Sequence, residues 1–157
     1  MTEKLLPAVA GVLAVGLAGT AAFLELRSDD GVDPGMVVVA RQEATNFFSL
    51  DHRHADEDVD RVLALATGTF KKEYAAQRKQ IVDGVTEKKL VVTADIPDDG
   101  AAVEFYDDDE ARMLVAVDVT TTGASSTSEP TENRYRTRVL LTKVGDKWLV
   151  SGLNQVG

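Results

Sequence analysis

The chain has 157 residues, and its 17 lysines and arginines stand against 26 aspartates and glutamates, which gives a formal net charge of −9. A chain of this length forms a single domain with a core of useful size. The acidity excludes a surface that binds phosphate backbones, so we expect no nucleic-acid partner. Cysteine is absent, which excludes disulfides, thiolate metal sites and a cysteine nucleophile.

Residues 5–24 form an apolar run without a single charge. A helix of about 20 residues spans ~30 Å, which is the thickness of the hydrocarbon core of a bilayer. We therefore expect residues 1–26 to be a single anchor in the plasma membrane, with the amino terminus inside and the rest of the chain on the outer side. The apolar side chains expected in the membrane are Leu5, Leu6, Val9, Val12, Leu13, Leu17, Phe23 and Leu24.

Two features of this run leave alternatives open. The small residues at positions 19–22 would also suit cleavage of a signal peptide, although the run is longer than the ~7 to 15 residues of a usual signal core. Small residues on one helix face allow close packing against partner helices, but the same pattern is common in anchors by chance. That face carries Ala10, Ala14, Ala18 and Ala22.

Residues 27–35 are acidic and contain glycine and proline, which predicts a linker before a domain at residues 36–157. Met36 to Leu50 has apolar residues at helical spacing and predicts an amphipathic helix. Its polar face is expected to carry Arg41, Gln42 and Glu43.

Two shorter helices are predicted next. Asp56 is a suitable N-cap for a helix that Gly68 terminates. Thr69 then caps a third helix, which runs to about Asp83 and ends at Gly84.

After Lys88 the side chains alternate between apolar and polar, which predicts strands at residues 90–94, 102–106, 112–120, 133–144 and 147–153. Trp148 is expected in the core. Helices followed by an antiparallel meander predict an α+β domain, in which a curved, cone-like sheet folds over the first helix. Among such folds we expect the nuclear transport factor 2-like type.

Three blocks of sequence resemble the actinobacterial Mce-associated membrane proteins. They are Leu50 to Asp56 with Val59, Thr67 to Tyr74, and Arg134 to Arg136 followed by Val144 to Val150. The resemblance extends over nearly the whole chain and includes the single anchor. It implies an accessory subunit of a Mce (mammalian cell entry) lipid importer, with a nuclear transport factor 2-like domain outside the plasma membrane. The plan is also similar to inner-membrane assembly factors of type IV secretion systems.

Candidate catalytic and metal-binding residues are few. His52 and His54, flanked by Asp51 and Asp56, could form a base or a metal site, but a solvated, helix-ending turn is the preferred interpretation. The inward strand positions offer only the acids Asp118 and Glu104, which make no convincing acid–base pair. The acidic groups at 98–99 and 107–110 could lie together as a weak calcium site, but a charge run in a turn is usually solvated. We expect no catalytic residue, metal or cofactor.

Arg134, Arg136 and Arg138 repeat at period two on one face of a strand. Like charges in this arrangement repel unless carboxylates stand opposite, and Asp118 and Glu104 could supply them as a cross-strand ladder. The alternative is a contact surface for a partner protein or a lipid headgroup.

The sequence therefore predicts a non-enzymatic, single-pass membrane protein. Its expected partners are Mce-family proteins and the permease or other subunits of a lipid importer, and a homo-oligomer is left open. Two alternatives are a lipid- or sterol-binding, isomerase-like cone and a secretion-system scaffold.

Overall fold

A computed structural model of the protein describes residues 31–123 and 129–157. The helices are α1 (Pro34–Phe48), α2 (Ala55–Leu65), α3 (Gly68–Ala76) and α4 (Arg78–Glu87). The strands are β1 (Leu50–Asp51), β2 (Val91–Asp95), β3 (Ala101–Tyr106), β4 (Glu110–Thr122), β5 (Thr131–Val144) and β6 (Lys147–Gln155). The predicted α+β order is confirmed. Within these ranges no helix has the length and apolar character needed to cross a bilayer, and the predicted anchor with its alanine face lies outside the described residues.

The strands form one antiparallel sheet in the order β1, β2, β4, β5, β6, with β3 also paired to β4. β5 pairs along one edge of β4. The other edge is shared, because residues 118–122 pair with β2 and residues 111–115 pair with β3. The sequence predicted a simple meander, in which each strand pairs with the next, and this is wrong for β2 and β3. Both pair with β4 instead, because its 13 residues are long enough for two short strands end to end.

α1 fills the concave side of the curled sheet. It begins where the Asp33 carboxylate accepts the Gly35 N–H at 2.8 Å. Apolar side chains four residues apart on α1 are fully buried and meet the inward, alternating side chains of the long strands. The fully buried apolar residues include Met36, Ala40 and Ala44 from α1, Val59 and Val62 from α2, and Met113, Val115, Val117, Val139, Leu141 and Val150 from the sheet.

The turn between α1 and α2 differs from the prediction. α1 ends at Phe48 rather than Leu50, because Leu50 belongs to β1 and pairs with Val92 of β2. α2 begins at Ala55, since the His54 N–H closes a turn on the Asp51 carbonyl at 2.8 Å. His54 therefore occupies the N-cap position in place of the predicted Asp56.

The glycines of the helical segment also act differently from the prediction. α2 stops at Leu65 because Ala66 becomes extended and bridges to Val150. Gly68, at φ +62, opens α3 instead of ending α2. The predicted third helix is two helices that meet at Gln77, and Gly84 lies inside α4.

Trp148 lies in the core as predicted, with 7% of its surface exposed. Its indole Nε1–H donates to the Asp33 carboxylate at 2.7 Å, and this bond lowers the pKa of Asp33. The start of α1 is thereby tied to β6.

Candidate functional site

The outer face of the sheet, opposite α1, carries the predicted arginine row. Arg134 makes two bonds to Asp118, at 2.5 and 3.0 Å, and Arg138 makes two bonds to Glu104, at 2.6 and 2.9 Å. These pairs lower the pKa of both carboxyl groups. The cross-strand ladder is confirmed for two of the three arginines. The two acids lie on this outer face, so the prediction that they occupy inward positions is wrong.

Arg136 is the exception in the row. It stands directly opposite Ala116 on β4, and its side chain is exposed. No carboxylate in the described part of the chain pairs with it. Nearby on the same face, the guanidinium of Arg112 lies over the ring of Phe105 at 5.9 Å, and Phe105 is 44% exposed. We call Phe105, Arg112, Arg134, Arg136 and Arg138 the arginine face.

The ladder can be measured by a double-mutant cycle. Alanine at Arg138, at Glu104 and at both should reveal a coupling of about 0.5–1 kcal/mol in urea unfolding, because the pair is bidentate and only partly exposed. The more exposed pair of Lys79 and Asp83 serves as the control, for which we expect a smaller coupling because water screens the two charges. Equal coupling in the two cycles would contradict a special ladder on the arginine face.

Glu43 is the titratable residue that the sequence prediction misplaced. It was expected on the polar face of the first helix, but its side chain is fully buried. Neither carboxylate oxygen has a hydrogen-bond partner in the described chain. Burial raises its pKa from 4.5 to about 8, while the neighbouring Asn46 amide acts in the opposite direction. The sequence did hold the signal, because Glu43 follows Met36 by seven residues, which is two helical turns.

Two buried ionisable groups, Asp58 and Tyr74, accompany Glu43 here, and Asp58 is paired. Asp58 of α2 is 2% exposed; it accepts the Asp51 N–H at 2.6 Å and forms an ion pair with Arg61. Tyr74 of α3 is 4% exposed, and its phenol pKa is raised by burial and by the nearby Glu43 and Asp58. A neutral, protonated Glu43 between α1, α2 and α3 can release a proton only at a cost in free energy.

The histidine turn is organised around an ion pair. The Arg53 guanidinium holds the Asp51 carboxylate through its Nε at 2.9 Å, which keeps the pKa of Asp51 well below its usual range. His54 is exposed, with its Nδ1 4.0 Å from Asp51. In residues 31–123 and 129–157 no three histidine, aspartate or glutamate side chains come together as a metal site.

The two acidic turns do not meet, which argues against the alternative of a calcium site shared between them. They lie at opposite ends of the six-residue strand β3, which separates them by roughly 20 Å. The first turn is held by Arg41, which donates to the carbonyls of Ile96 and Pro97 at 2.9 and 3.1 Å. In the second turn, the Asp107 carboxylate accepts the Glu110 N–H at 2.8 Å. These hydrogen bonds stabilise the conformation of both turns.

Two clefts open on the surface of the domain. The larger, about 740 Å³, is mostly acidic; the smaller, about 210 Å³, lies between α3 and β6. Glu43 lines neither cleft. The larger is lined by Gly31, Asp33, Tyr106, Asp107, Asp108, Asp109, Lys143, Gly145, Asp146 and Trp148, and the smaller by Phe47, Thr69, Phe70, Glu73, Tyr74, Gln77, Leu140, Ser151, Gly152, Leu153 and Asn154.

Solved structures with this arrangement define the class of the domain. An IcmL-like type IV secretion system protein from Legionella pneumophila is 11% identical, with a TM-score of 0.62 over 80% of this chain and 94% of that one. CagV, a VirB8 homologue from Helicobacter pylori, is 8% identical, with a TM-score of 0.62 over 79% and 98%. A proposed aromatic ring hydroxylase from Novosphingobium aromaticivorans is 14% identical, with a TM-score of 0.56 over 79% and 90%. The fold is therefore nuclear transport factor 2-like and VirB8-like.

The chain belongs to the family described as Uncharacterized protein Rv1363c/MT1408-like, whose profile matches residues 4–156. The Mycobacterium tuberculosis protein named Uncharacterized protein Rv1363c is 26% identical over 150 residues. This match covers 92% of the present chain and 56% of the relative. The chain thus spans about half the length of the curated relative that it matches.

Proposed function

We propose that this protein is a non-catalytic assembly subunit of a cell-envelope complex. Residues 5–24 hold it in the plasma membrane, and the domain on the outer side docks an acidic surface of a partner protein on its arginine face. The observation that carries the proposal is Arg136, an exposed guanidinium without a carboxylate partner in the described chain, on a protein with net charge −9.

The surroundings of Arg136 suit a docking contact. Arg134 and Arg138 on either side are held by their own carboxylates, so they frame Arg136 without adding free charge. Ala116 opposite it leaves space for a partner's side chain. Phe105 and Arg112 add an exposed ring and a second cation, and aromatic and arginine residues are enriched where partners bind.

Two kinds of complex fit an assembly subunit. The sequence resemblance supports a Mce-type lipid importer, with Mce-family proteins and the permease as partners. The likeness of the fold to VirB8-like domains of type IV secretion systems supports a scaffold of a secretion-type machine. In both complexes an anchored domain would contact other membrane proteins. The two complexes differ in the proteins that the domain would bind.

A lipid- or sterol-binding, isomerase-like cone is the second candidate. Glu43 favours it, because a buried carboxyl with a raised pKa can act as an acid or base near neutral pH. Against it, neither surface cleft includes Glu43, and α1 fills the concave side of the sheet with Met36 and two alanines.

The test is a mild-detergent pull-down of full-length protein from washed membranes of its native cells, with mass spectrometry of proteins and lipids. Arg136→Glu should reduce recovery of an identified membrane partner at least tenfold, because the substitution places a carboxylate opposite the partner's acidic surface. Lys72→Glu, the same charge change at an exposed position on α3, should leave recovery unchanged. Thermal unfolding of both variants checks that the domain stays folded.

The identity of the partner separates the alternatives. Mce proteins or their permease would support the importer, and components of a secretion channel would support the scaffold. Wild-type recovery with folded Arg136→Glu protein would reject docking on the arginine face. Stoichiometric lipid on a lone chain would replace the assembly role by the ligand-binding cone.

A further inference from the structure

Residues 52–90 form a separate lobe of the domain. The chain leaves the sheet after β1 and returns at β2, and these two strands pair with each other, Leu50 opposite Val92 and Asp51 opposite Val91. A further bond from the His52 N–H to the Leu90 carbonyl, at 2.9 Å, closes the base. This pairing clamps the base of the lobe, where the chain leaves and rejoins the sheet.

The lobe closes on the rest of the domain at two places. Its helices α2 and α3 pack on α1, where Glu43 is buried without a hydrogen-bond partner among the described residues. At the far side, the Thr67 N–H donates to the Val150 carbonyl of β6 at 2.8 Å. The Thr67 bond therefore reports whether the lobe is closed on the sheet.

We propose that Glu43 is a proton-controlled latch, which keeps this lobe closed on α1 while it is protonated and favours opening of the lobe once it ionises. The buried polar groups Asn46, Asp58 and Thr137 all have hydrogen-bond partners. Glu43 has none, so a charge on it would be solvated only if water entered between α1 and the lobe.

The groups around this point set the electrostatics. Asp58 with its partner Arg61 faces it from α2, Tyr74 from α3, and Arg78 lies behind Tyr74 on α4. The buried side chains of the described strands are apolar except for Thr137, and the partly buried Tyr135 stacks on Phe48 of α1. Arg61 is already neutralised by Asp58, so it would not compensate a negative charge on Glu43.

The direction of the pH effect follows from the two states. In the closed lobe, Glu43 keeps its proton up to about pH 8. In the open lobe, its carboxyl is in water and loses the proton above the usual pKa of 4.5. Opening therefore releases a proton between these values and becomes more favourable as the pH rises through this window. The opening constant should rise up to tenfold per pH unit and level off above about pH 8.

The experiment is amide hydrogen exchange on the full-length protein between pH 5.5 and 7.5. Each rate is divided by the rate of an unstructured chain at the same pH. The corrected opening constant at the Thr67 amide should rise more than tenfold in the wild type. It should also stay well above the opening constant of amides of β4, which is paired on both edges and is expected to open only when the whole domain unfolds. Glu43→Gln and Glu43→Met should both remove the rise.

Two controls isolate the latch. Glu57→Gln, at an exposed position on α2, should keep the wild-type rise. The double variant His52→Ala and His54→Ala should keep it too, which would exclude the two histidines at the base of the lobe as the source of the rise. The proposal is overturned by a rise below threefold in the wild type, by its persistence in both Glu43 variants, by its loss in the histidine variant, or by opening constants at Thr67 that equal those of β4 at every pH.

Discussion

Replacing Met113 with alanine should lower the free energy of unfolding by about 2–5 kcal/mol. Met113 lies in β4, is fully buried, and packs in the core that α1 completes. The truncation removes apolar contacts and leaves a cavity, because helix and sheet on either side cannot collapse into the space. The loss should appear as a lower midpoint of urea unfolding with an unchanged slope.

Trp148 provides the signal for this measurement, since it is the single tryptophan and is buried against Asp33. Val38→Ala is the matched control, because Val38 is 65% exposed on α1, and it should change stability by less than about 0.5 kcal/mol. A loss below about 1 kcal/mol for Met113→Ala would mean that the interior is loosely packed, which would favour a hollow, ligand-binding cone.

Replacing Asp58 with alanine should lower the free energy of unfolding by about 2–3 kcal/mol. Its carboxylate, 2% exposed, accepts the Asp51 N–H at 2.6 Å and pairs with Arg61. Without it, the Asp51 amide at the base of the lobe has no acceptor. Arg61 is half exposed and can turn to water, so most of the loss arises at the amide.

Asp58→Asn should restore roughly half of this loss, because the amide oxygen can still accept the Asp51 N–H. Asp60→Ala is the control in the same helix; its side chain is exposed and pairs with Arg78, so we expect less than about 1 kcal/mol. Equal losses for Asp58→Ala and Asp60→Ala in urea unfolding would show that the buried hydrogen bond contributes little.

The two residues on which the proposals rest, Arg136 and Glu43, differ in how well local sequence patterns predict their positions. The arginine row was visible because alternate residues of a strand share one face, and even the partners Asp118 and Glu104 were named correctly. Which arginine would remain without a partner depended on strand register, since Arg136 falls opposite Ala116. Register is fixed by pairing across the sheet and cannot be read from one strand.

Glu43 shows the opposite case. Its spacing from Met36 placed it on the buried stripe, but a charged residue type argued for the surface. The prediction rests on the charge of the residue. In the structure the helical spacing decides its position, because α2 and α3 cover that side of α1. Only the packing of a second layer of helices decided that a carboxyl at this position would be enclosed.

The sequence by itself determined the α+β class, the order of helices before strands, the buried faces of the long strands and the place of Trp148. All of these follow from periodicity within a single element, which is a local property of the chain. The tertiary structure decided the shared edge of β4, the clamped lobe at residues 52–90, the exposed Arg136 and the enclosed Glu43. Each of these depends on which distant segments meet, and that is settled by burial and pairing over the whole domain.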